Sequence, residues 1–372
     1  MKYRLLLIGA LALSGLGLVG CGDEITTQPN VLEQPAAVAP ELAVTRNSWT
    51  TRANMSVNRT ALATATLTNA AGQSVVYAMG GEKWGQGLPG TPVAKVTAYN
   101  VATNTWTDRR PLPRRLAGTN GAGVLKGKIY VTGGYSDGGN HWPWPTVYMY
   151  DPAPNTWTRK RDIPTVAGAS RREYAAARGV TGVIGGQLYV VSGCYLKGAD
   201  GYLSPGCKPL FLRYNDVTDR WVSLPRPFIQ VTDDIVDQSV GGVIDGKFYV
   251  MAASFDPTDP TGVLKAHFEV YDPTTNRWTR RTPLGLGRPY AASAVLGNKL
   301  YVMGGIRSKG AGQEILDITI VYDPVTDAWT RRASLPSRRY DISASKVLLN
   351  GKPRIELVGG LQVEANNLQY IP

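Results

Sequence analysis

A tyrosine followed seven residues later by a tryptophan recurs along this chain, at intervals of about fifty residues. The five complete pairs are Tyr99/Trp106, Tyr150/Trp157, Tyr214/Trp221, Tyr271/Trp278 and Tyr322/Trp329. Before each pair lies an apolar run ending in two small residues: Gly80-Gly81, Gly133-Gly134, Ser192-Gly193, Ala252-Ala253 and Gly304-Gly305. A sixth small pair, Gly359-Gly360, is followed by Tyr370 alone, and Trp49 near the other end supplies the missing tryptophan. Such a period predicts one supersecondary unit per repeat.

Each repeat is predicted to contain four strands, which we name A to D. In the fifth repeat, strand A (Ala291–Leu296) meets a tight turn at Gly297-Asn298, which suits a short hairpin. Strand B follows, strand C ends at the repeat tyrosine, and strand D carries the tryptophan. The 42 glycines and 25 prolines of the chain favour many short strands joined by turns over a helical protein.

Apolar B strands with Gly-Gly ends, followed by tyrosine and tryptophan at a fixed spacing, resemble the kelch repeat. The resemblance covers residues 45–372 and implies an all-β, six-bladed β-propeller. Trp49 would then lie on the outer strand of the last blade, whose other strands come from the end of the chain. Pairing the two ends closes the ring and removes its open edges. The repeat tyrosines and tryptophans are accordingly predicted to be packing residues.

The N-terminus has the layout of an export signal. Lys2 and Arg4 precede an apolar stretch that ends in Gly20-Cys21, and this end resembles the lipobox of bacterial lipoproteins. The resemblance implies a signal peptide over residues 1–20, a lipidated Cys21 on a flexible tether over 21–44, and a propeller over 45–372. An ordinary signal with a chance cysteine is the alternative. We expect a monomer in the cell envelope, at an outer membrane or cell surface, attached to the membrane only through its lipid.

Two further cysteines agree with export, and export in turn limits the partners that the net charge allows. Cys194 and Cys207 flank one loop, where a disulfide would close a ring of about fourteen residues and stabilise by roughly 3 kcal/mol. Two buried free thiols are the alternative. The net charge of +12 allows nucleic acid, an anionic surface or an acidic ligand as a partner, and export disfavours nucleic acid.

The long connections are predicted to carry the function. Because strand direction alternates, the B–C and D–A connections share one face of the ring, which we call the long-loop face. Long loops on a rigid scaffold are where binding residues usually lie. Three tryptophans outside the repeat lie on its first two B–C connections, namely Trp84, Trp142 and Trp144. They would stack on sugar rings or anchor a protein partner, or else fill gaps between loops.

Arginines gather at the start of strand A in five blades: Arg59, Arg115, Arg172, Arg288 and Arg339. We expect these side chains, with the tyrosines Tyr174, Tyr290 and Tyr340, to line the mouth of the central channel and bind a carboxylate. In eukaryotic kelch propellers, arginines on this face grip acidic peptides, which the resemblance makes conceivable here. The alternative is a solvated rim paired with loop carboxylates. Blade four instead carries the acids Asp233, Asp234 and Asp237, which would counter the arginines, hold a cation or supply an acid or base.

No catalytic group stands out. The copper site of galactose-oxidase-like propellers needs two histidines, whereas His141 and His267 lie on non-adjacent blades. We therefore expect no metal or cofactor and no enzyme activity, but a module that binds an acidic protein segment or glycan. The alternative is a periplasmic sugar mutarotase, because a sialic-acid mutarotase is also a kelch-like propeller with a carboxylate and arginine at its channel. Glu173 would be its acid or base, with Glu82 and Asp234 behind it.

Overall fold

The computed structural model describes residues 47–85, 88–136, 143–164, 177–193, 210–227, 239–254, 265–285, 287–309, 312–361 and 367–372. The predicted signal peptide, the tether with Cys21, and the cysteines Cys194 and Cys207 lie outside these residues. Within the described ranges the regular structure is all β, and they contain no helix that could cross a membrane.

The strands of the first half of the chain are β1 (Ser48–Arg52), β2 (Ala63–Thr68), β3 (Ser74–Met79), β4 (Glu82–Gly85), β5 (Leu88–Pro92), β6 (Val96–Asn100), β7 (Thr105–Arg109), β8 (Ala122–Leu125), β9 (Lys128–Thr132), β10 (Val147–Asp151), β11 (Thr156–Lys160), β12 (Ala177–Ile184), β13 (Gln187–Gly193), β14 (Phe211–Asn215) and β15 (Arg220–Ser223). Those of the second half are β16 (Val240–Ile244), β17 (Lys247–Ser254), β18 (Lys265–Asp272), β19 (Arg277–Arg280), β20 (Ala292–Leu296), β21 (Lys299–Met303), β22 (Ile306–Lys309), β23 (Gly312–Ile315), β24 (Thr319–Asp323), β25 (Ala328–Arg332), β26 (Ser343–Leu349), β27 (Lys352–Val358) and β28 (Asn367–Ile371).

These strands form six four-stranded antiparallel sheets, the blades. Blades one to five have the orders β2-β3-β6-β7, β8-β9-β10-β11, β12-β13-β14-β15, β16-β17-β18-β19 and β20-β21-β24-β25. Blade six has the order β26-β27-β28-β1, so its outer strand comes from the start of the propeller. Two short hairpins, β4-β5 and β22-β23, extend from the B–C connections of blades one and five. The arrangement is a six-bladed β-propeller, as the repeat predicted.

Neighbouring blades pack through their middle strands, which carry the core. A strand-B tyrosine of one blade contacts the repeat tyrosine of the next, with ring centroids 5.6 to 6.2 Å apart. The pairs run from blade one to blade six: Tyr77/Tyr150, Tyr130/Tyr214, Tyr189/Tyr271, Tyr249/Tyr322 and Tyr301/Tyr370. Each is an aromatic contact between blades, so a blade buries its apolar face only with its neighbour in place.

The ring closes where the sequence predicts. β1 pairs antiparallel with β28, and Trp49 lies opposite Tyr370 with ring centroids 5.1 Å apart. The other five tyrosine–tryptophan pairs are also opposite each other across strands C and D. Trp49 therefore takes the place of the tryptophan that the sixth repeat lacks.

An asparagine or aspartate completes each pair, which the repeat analysis had not singled out. The phenol of every repeat tyrosine donates a hydrogen bond of 2.5 to 2.9 Å to this side chain. We call the six side chains, with their tyrosines and tryptophans, the outer network; they are Asn47, Asn104, Asn155, Asp219, Asn276 and Asp327. All six have φ between 51° and 57°, a left-handed conformation that asparagine and aspartate tolerate better than most residues.

The tryptophans of the outer network join the blades. Each indole Nε1 donates to a main-chain oxygen just after strand D of the preceding blade, at 2.7 to 2.9 Å. For example, Trp278 of blade four donates to Pro225 after blade three. The spacing of tyrosine and tryptophan thus lets the two rings pack together while the phenol and the indole N–H both form hydrogen bonds.

The inner strands are joined by hydroxyl groups in alternate blades. Thr64, Thr181 and Ser293 of blades one, three and five each donate to a main-chain carbonyl of the preceding blade, at 2.8 to 3.1 Å. The inner strands surround the central channel, so these polar groups lie along it.

Candidate functional site

The D–A and B–C connections meet at one end of the ring. The residue just before strand A pairs with the residue just after the small pair, as Thr60 does with Glu82 and Ala117 with Tyr135. Tyr340 and Leu361 repeat this bridge in blade six. Both classes of long connection therefore start beside the channel on the same face, which is the predicted long-loop face.

Six residues form a ring around the channel at this face, which we call the channel-mouth ring: Ala61, Gly118, Arg178, Ser239, Tyr290 and Asp341. Five backbone hydrogen bonds of 2.7 to 3.1 Å connect it, each between adjacent blades. Four of its non-glycine members, Ala61, Arg178, Tyr290 and Asp341, have φ between 50° and 62°. Left-handed backbone is unfavourable for alanine, arginine and tyrosine, and such strain often marks a functional position.

Arg178 reaches across the channel. Its Nη1 lies 3.4 Å from Asp341 Oδ1, and blades three and six are opposite each other in a ring of six. Its Nη2 donates to the Tyr135 hydroxyl at 3.0 Å. The side chains of Arg178 and Asp341 are only 8% and 6% exposed, so this ion pair is held in a low-dielectric environment.

Tyr135 lies beneath this guanidinium because Gly118 has no side chain. A Cβ atom at Gly118 would lie 2.2 Å from Tyr135 Cε1, which no side chain could occupy without displacing the ring. Burial raises the pKa of the Tyr135 phenol well above its usual value, although the Arg178 cation opposes this. The charge of Glu82 and a hydrogen bond to it raise the pKa further. The phenol is therefore protonated and can accept from Arg178.

Aromatic rings flank the guanidinium. The Arg178 carbon Cζ lies 4.9 Å from the centroid of Tyr290 and 5.4 Å from that of Tyr135, both within the range of a cation–π contact. Tyr340 packs edge-on against Tyr290, at 6.1 Å between centroids. These contacts set the plane and position of the Arg178 fork.

A polar cavity of about 150 Å³ lies at the level of the inner strands. Its lining includes Ser239 of the channel-mouth ring and residues two or three positions after other ring members, namely Thr64, Asn120, Thr181 and Ser293. The ion pair therefore stands at the end of the channel that opens to the long loops.

Three of the predicted arginines direct their guanidinium groups into the protein. Arg59 and Arg339 are each 1% exposed. Arg59 donates to the carbonyls of Gly80 and Lys95. Arg339 donates to Ser337 Oγ. Half-buried Arg288 donates to Ile318 at 3.4 Å.

Burial lowers the pKa of each of these three arginines to about 10. Asp108 partly opposes this for Arg59, whereas Arg307 and Arg331 add to it for Arg288. A ligand role for these arginines stays a prediction, but the contacts of Arg59 and Arg339 are structural.

The other predicted residues fall in several places. Arg115 is exposed, and its neighbour Arg114 stacks on half-buried Trp144 at 3.8 Å. Tyr290 and Tyr340 pack together at the channel mouth, and Trp84 lies on β4; their role in binding stays a prediction. Outside the described residues are Arg172, Tyr174, Trp142, the candidate base Glu173, His141 and the acids of blade four.

The pair at the centre of the mouth could not be recognised from local sequence. Arg178 and Asp341 follow the small residue Ala177 and Tyr340, and nothing local marks them. These two residues can be recognised only when the six repeats are aligned at the position of the channel-mouth ring. There, an arginine, a tyrosine and an aspartate replace the small residues of the other blades.

Comparisons with known proteins agree with this fold. Residues 287–336 match the family model described as Kelch motif. The chain is 27% identical over 246 residues to Kelch-like protein terF of Aspergillus terreus, covering 65% of this chain and 50% of that protein. It is 27% identical over 278 residues to Kelch-like protein 23 of Pongo abelii, covering 75% and 42%. The chain thus spans half or less of the length of these relatives.

Among solved structures, that of YjhT superposes with a TM-score of 0.60 at 14% identity. The match covers 85% of this chain and 94% of that one. At such an identity the likeness concerns the fold alone.

Proposed function

Because the chain is a six-bladed β-propeller of the kelch type, we propose that it is a binding module whose long-loop face recognises a carboxylate-bearing ligand. The ligand is an acidic protein segment or an acidic glycan. No cofactor takes part.

The observation that carries this proposal is the uneven composition of the channel-mouth ring. Three blades contribute small residues there, whereas the others contribute Arg178, Tyr290 and Asp341. An arginine held between aromatic rings presents its fork in a fixed plane, which suits bidentate recognition of a carboxylate. The net charge of +12 favours the approach of an acidic ligand.

Binding is tested with the full-length protein on an array of acidic and neutral glycans and with acidic peptides. We expect Arg178→Gln to reduce affinity at least tenfold. Arg159→Gln is the matched control, because Arg159 is an exposed arginine paired with Asp162 on the outer edge of blade two. Thermal melting verifies that both variants fold. Equal affinity of wild type and Arg178→Gln for every bound ligand would remove this site from the proposal.

We also propose that the module is tethered to the cell envelope through a lipid on Cys21. The supporting feature is the lipobox-like end of the apolar N-terminal stretch. Metabolic labelling with palmitate should mark the wild type and leave Cys21→Ser unlabelled. Equal labelling of both would place any lipid elsewhere.

The mutarotase alternative draws on one observation: a carboxylate, a phenol and a guanidinium come together at the mouth as Glu82, Tyr135 and Arg178. Such a set can in principle move a proton on a sugar. NMR of anomeric exchange in sialic acid tests it, with Glu82→Gln as the variant. No acceleration by the wild type dismisses the enzyme.

A further inference from the structure

We propose that Asp341 is a built-in competitor of the ligand. Its carboxylate occupies, on Arg178, the place that a carboxylate of the ligand takes on binding. The inference rests on the proposed function and adds to it how the site selects an acidic group and how the empty site is kept closed.

In this pair, Asp341 contacts Arg178 as the carboxylate of a bound ligand would, but at a long distance. Asp341 reaches Arg178 from the opposite blade at 3.4 Å, whereas the less buried pairs Lys299–Asp323 and Arg159–Asp162 are at 2.6 Å. Charge-assisted hydrogen bonds of nitrogen to carboxylate are usually about 2.7–2.9 Å. The long contact leaves room for a better-placed carboxylate to form a closer one.

Exchange would not disturb the fold. The backbone of Asp341 is held by two hydrogen bonds of the channel-mouth ring, to Tyr290 at 2.9 Å and from Ala61 at 3.0 Å. Rotation of the Asp341 side chain alone would vacate its place. Arg178 would keep its position, because Tyr135 and Tyr290 contact the guanidinium from blades two and five.

Burial strengthens the preference for an anion in this place. With 8% and 6% of the side chains exposed, removal of Asp341 takes a negative charge away from the Arg178 cation in a low-dielectric environment. A ligand carboxylate that takes the place of Asp341 restores that charge. A carboxylate accepts two parallel hydrogen bonds from the planar fork, one on each oxygen, whereas a chloride offers a single acceptor atom.

Chemical rescue with acetate tests this exchange. Asp341→Gly removes the carboxylate, leaves a void of matching size, and accepts the φ of 56° at this position. We expect acetate to raise its melting temperature saturably, with millimolar affinity, relative to sodium chloride at equal ionic strength. Wild type and Asp341→Asn, which fills the void without charge, should bind acetate at least tenfold more weakly. No acetate-specific effect on Asp341→Gly would overturn the inference.

Further variants assign the effect to Arg178. Adding Arg178→Gln to Asp341→Gly should abolish the response to acetate. Asp272→Gly is the matched control, because it removes the partner of Lys247 at the end of β18, away from the channel mouth, and should show no acetate-specific stabilisation. If Asp341→Gly folds poorly, recovery of folding in acetate but not chloride supports the exchange, and equal failure in both salts contradicts it.

The ligands bound in the array experiment give the second readout. Asp341→Gly should bind them at least tenfold more tightly than wild type, since the competing carboxylate is gone and its place is vacant. Weaker binding would show that Asp341 assists the ligand and would overturn the inference. If no ligand binds to any variant, the proposed function fails, while the acetate titration still decides whether Arg178 exchanges carboxylates.

Discussion

The outer network and the channel-mouth ring are both built from equivalent positions of all six blades. Only in the outer network do these positions carry the same types of side chain in every blade. Its left-handed positions carry asparagine or aspartate in every blade. The left-handed positions of the channel-mouth ring carry alanine, glycine, arginine, tyrosine and aspartate. All six of these positions in the outer network and five of the six in the channel-mouth ring are left-handed, but the residue types that occupy them differ.

This difference separates stability from recognition. Residues suited to positive φ minimise strain in the outer network, where each side chain also accepts a hydrogen bond from a buried tyrosine. At the mouth, Arg178 and Tyr290 adopt the strained left-handed conformation, and this places the Arg178 guanidinium in the channel. The following predictions test that separation, from the largest expected effect to the smallest.

Trp278→Ala should have the largest effect on folding. This tryptophan is 6% exposed, packs edge-on against Phe211 of blade three at 4.9 Å, and donates to Pro225. We expect a loss of about 3–5 kcal/mol in the free energy of unfolding, measured by urea denaturation. Val217→Ala on an exposed turn is the control and should change it by less than about 0.5 kcal/mol. A small loss at Trp278 would mean that the outer network does not hold the blades together.

Arg178→Ala should destabilise by about 3 kcal/mol, because Asp341 is left as a buried charge without its partner. Adding Asp341→Asn should recover part of this loss in the same denaturation assay. Removal of the exposed Arg159 should cost less than about 1 kcal/mol. No recovery in the double variant would show that the pair is not coupled.

The seam between blades six and one should make stability depend on pH. Burial raises the pKa of Glu356 to about 7, although hydrogen bonds and the Arg52 cation oppose this. The folded state therefore binds this proton more tightly than the unfolded chain. Its contribution is fully present below about pH 4.5 and is lost as pH rises through 7. Wild type should lose roughly 3 kcal/mol more than Glu356→Gln between pH 4.5 and 8. Parallel pH profiles of the two would contradict this.

Two glycines with similar φ separate the cost of backbone strain from the cost of a steric clash. Gly118 and Gly185 have φ of 52° and 56°, but only a Cβ at Gly118 would meet Tyr135. Gly185→Ala should cost about 1 kcal/mol from its backbone alone. Gly118→Ala should cost about 1–3 kcal/mol more from overpacking and should also weaken ligand binding. Equal losses in thermal melting would show that Tyr135 can move aside freely.

Asn276→Gly should have the smallest effect. Glycine accepts the φ of 55° but removes the acceptor of the Tyr271 hydroxyl, so we expect a loss of about 1 kcal/mol. Asn298→Gly, at an exposed turn with the same φ, is the control and should be close to neutral. Identical effects at both sites would mean that the asparagines are selected only for their backbone conformation.

Much of the fold was predictable from residue spacing. Tyrosine and tryptophan seven residues apart lie opposite each other because the C–D turn has a constant length. Trp49 was assigned to blade six because the sixth repeat has a tyrosine without its tryptophan, whereas Trp49, at the other end of the chain, has no repeat tyrosine before it. The asparagines of the outer network show the same regularity, two residues before each tryptophan, and a closer alignment of the repeats would have found them.

The chain by itself therefore determined the number of blades, their closure and the face that carries the long connections, since these depend on periods and loop lengths. Only the tertiary structure decided which arginine lies at the channel mouth. Arg59 and Arg339 are buried, and their guanidinium groups donate to the carbonyl of Gly80 and to Ser337 Oγ. Arg178 lies on the ring itself, and its partner Asp341 is 163 residues away in the opposite blade. Such a contact depends on closure of the whole ring, which no local pattern records.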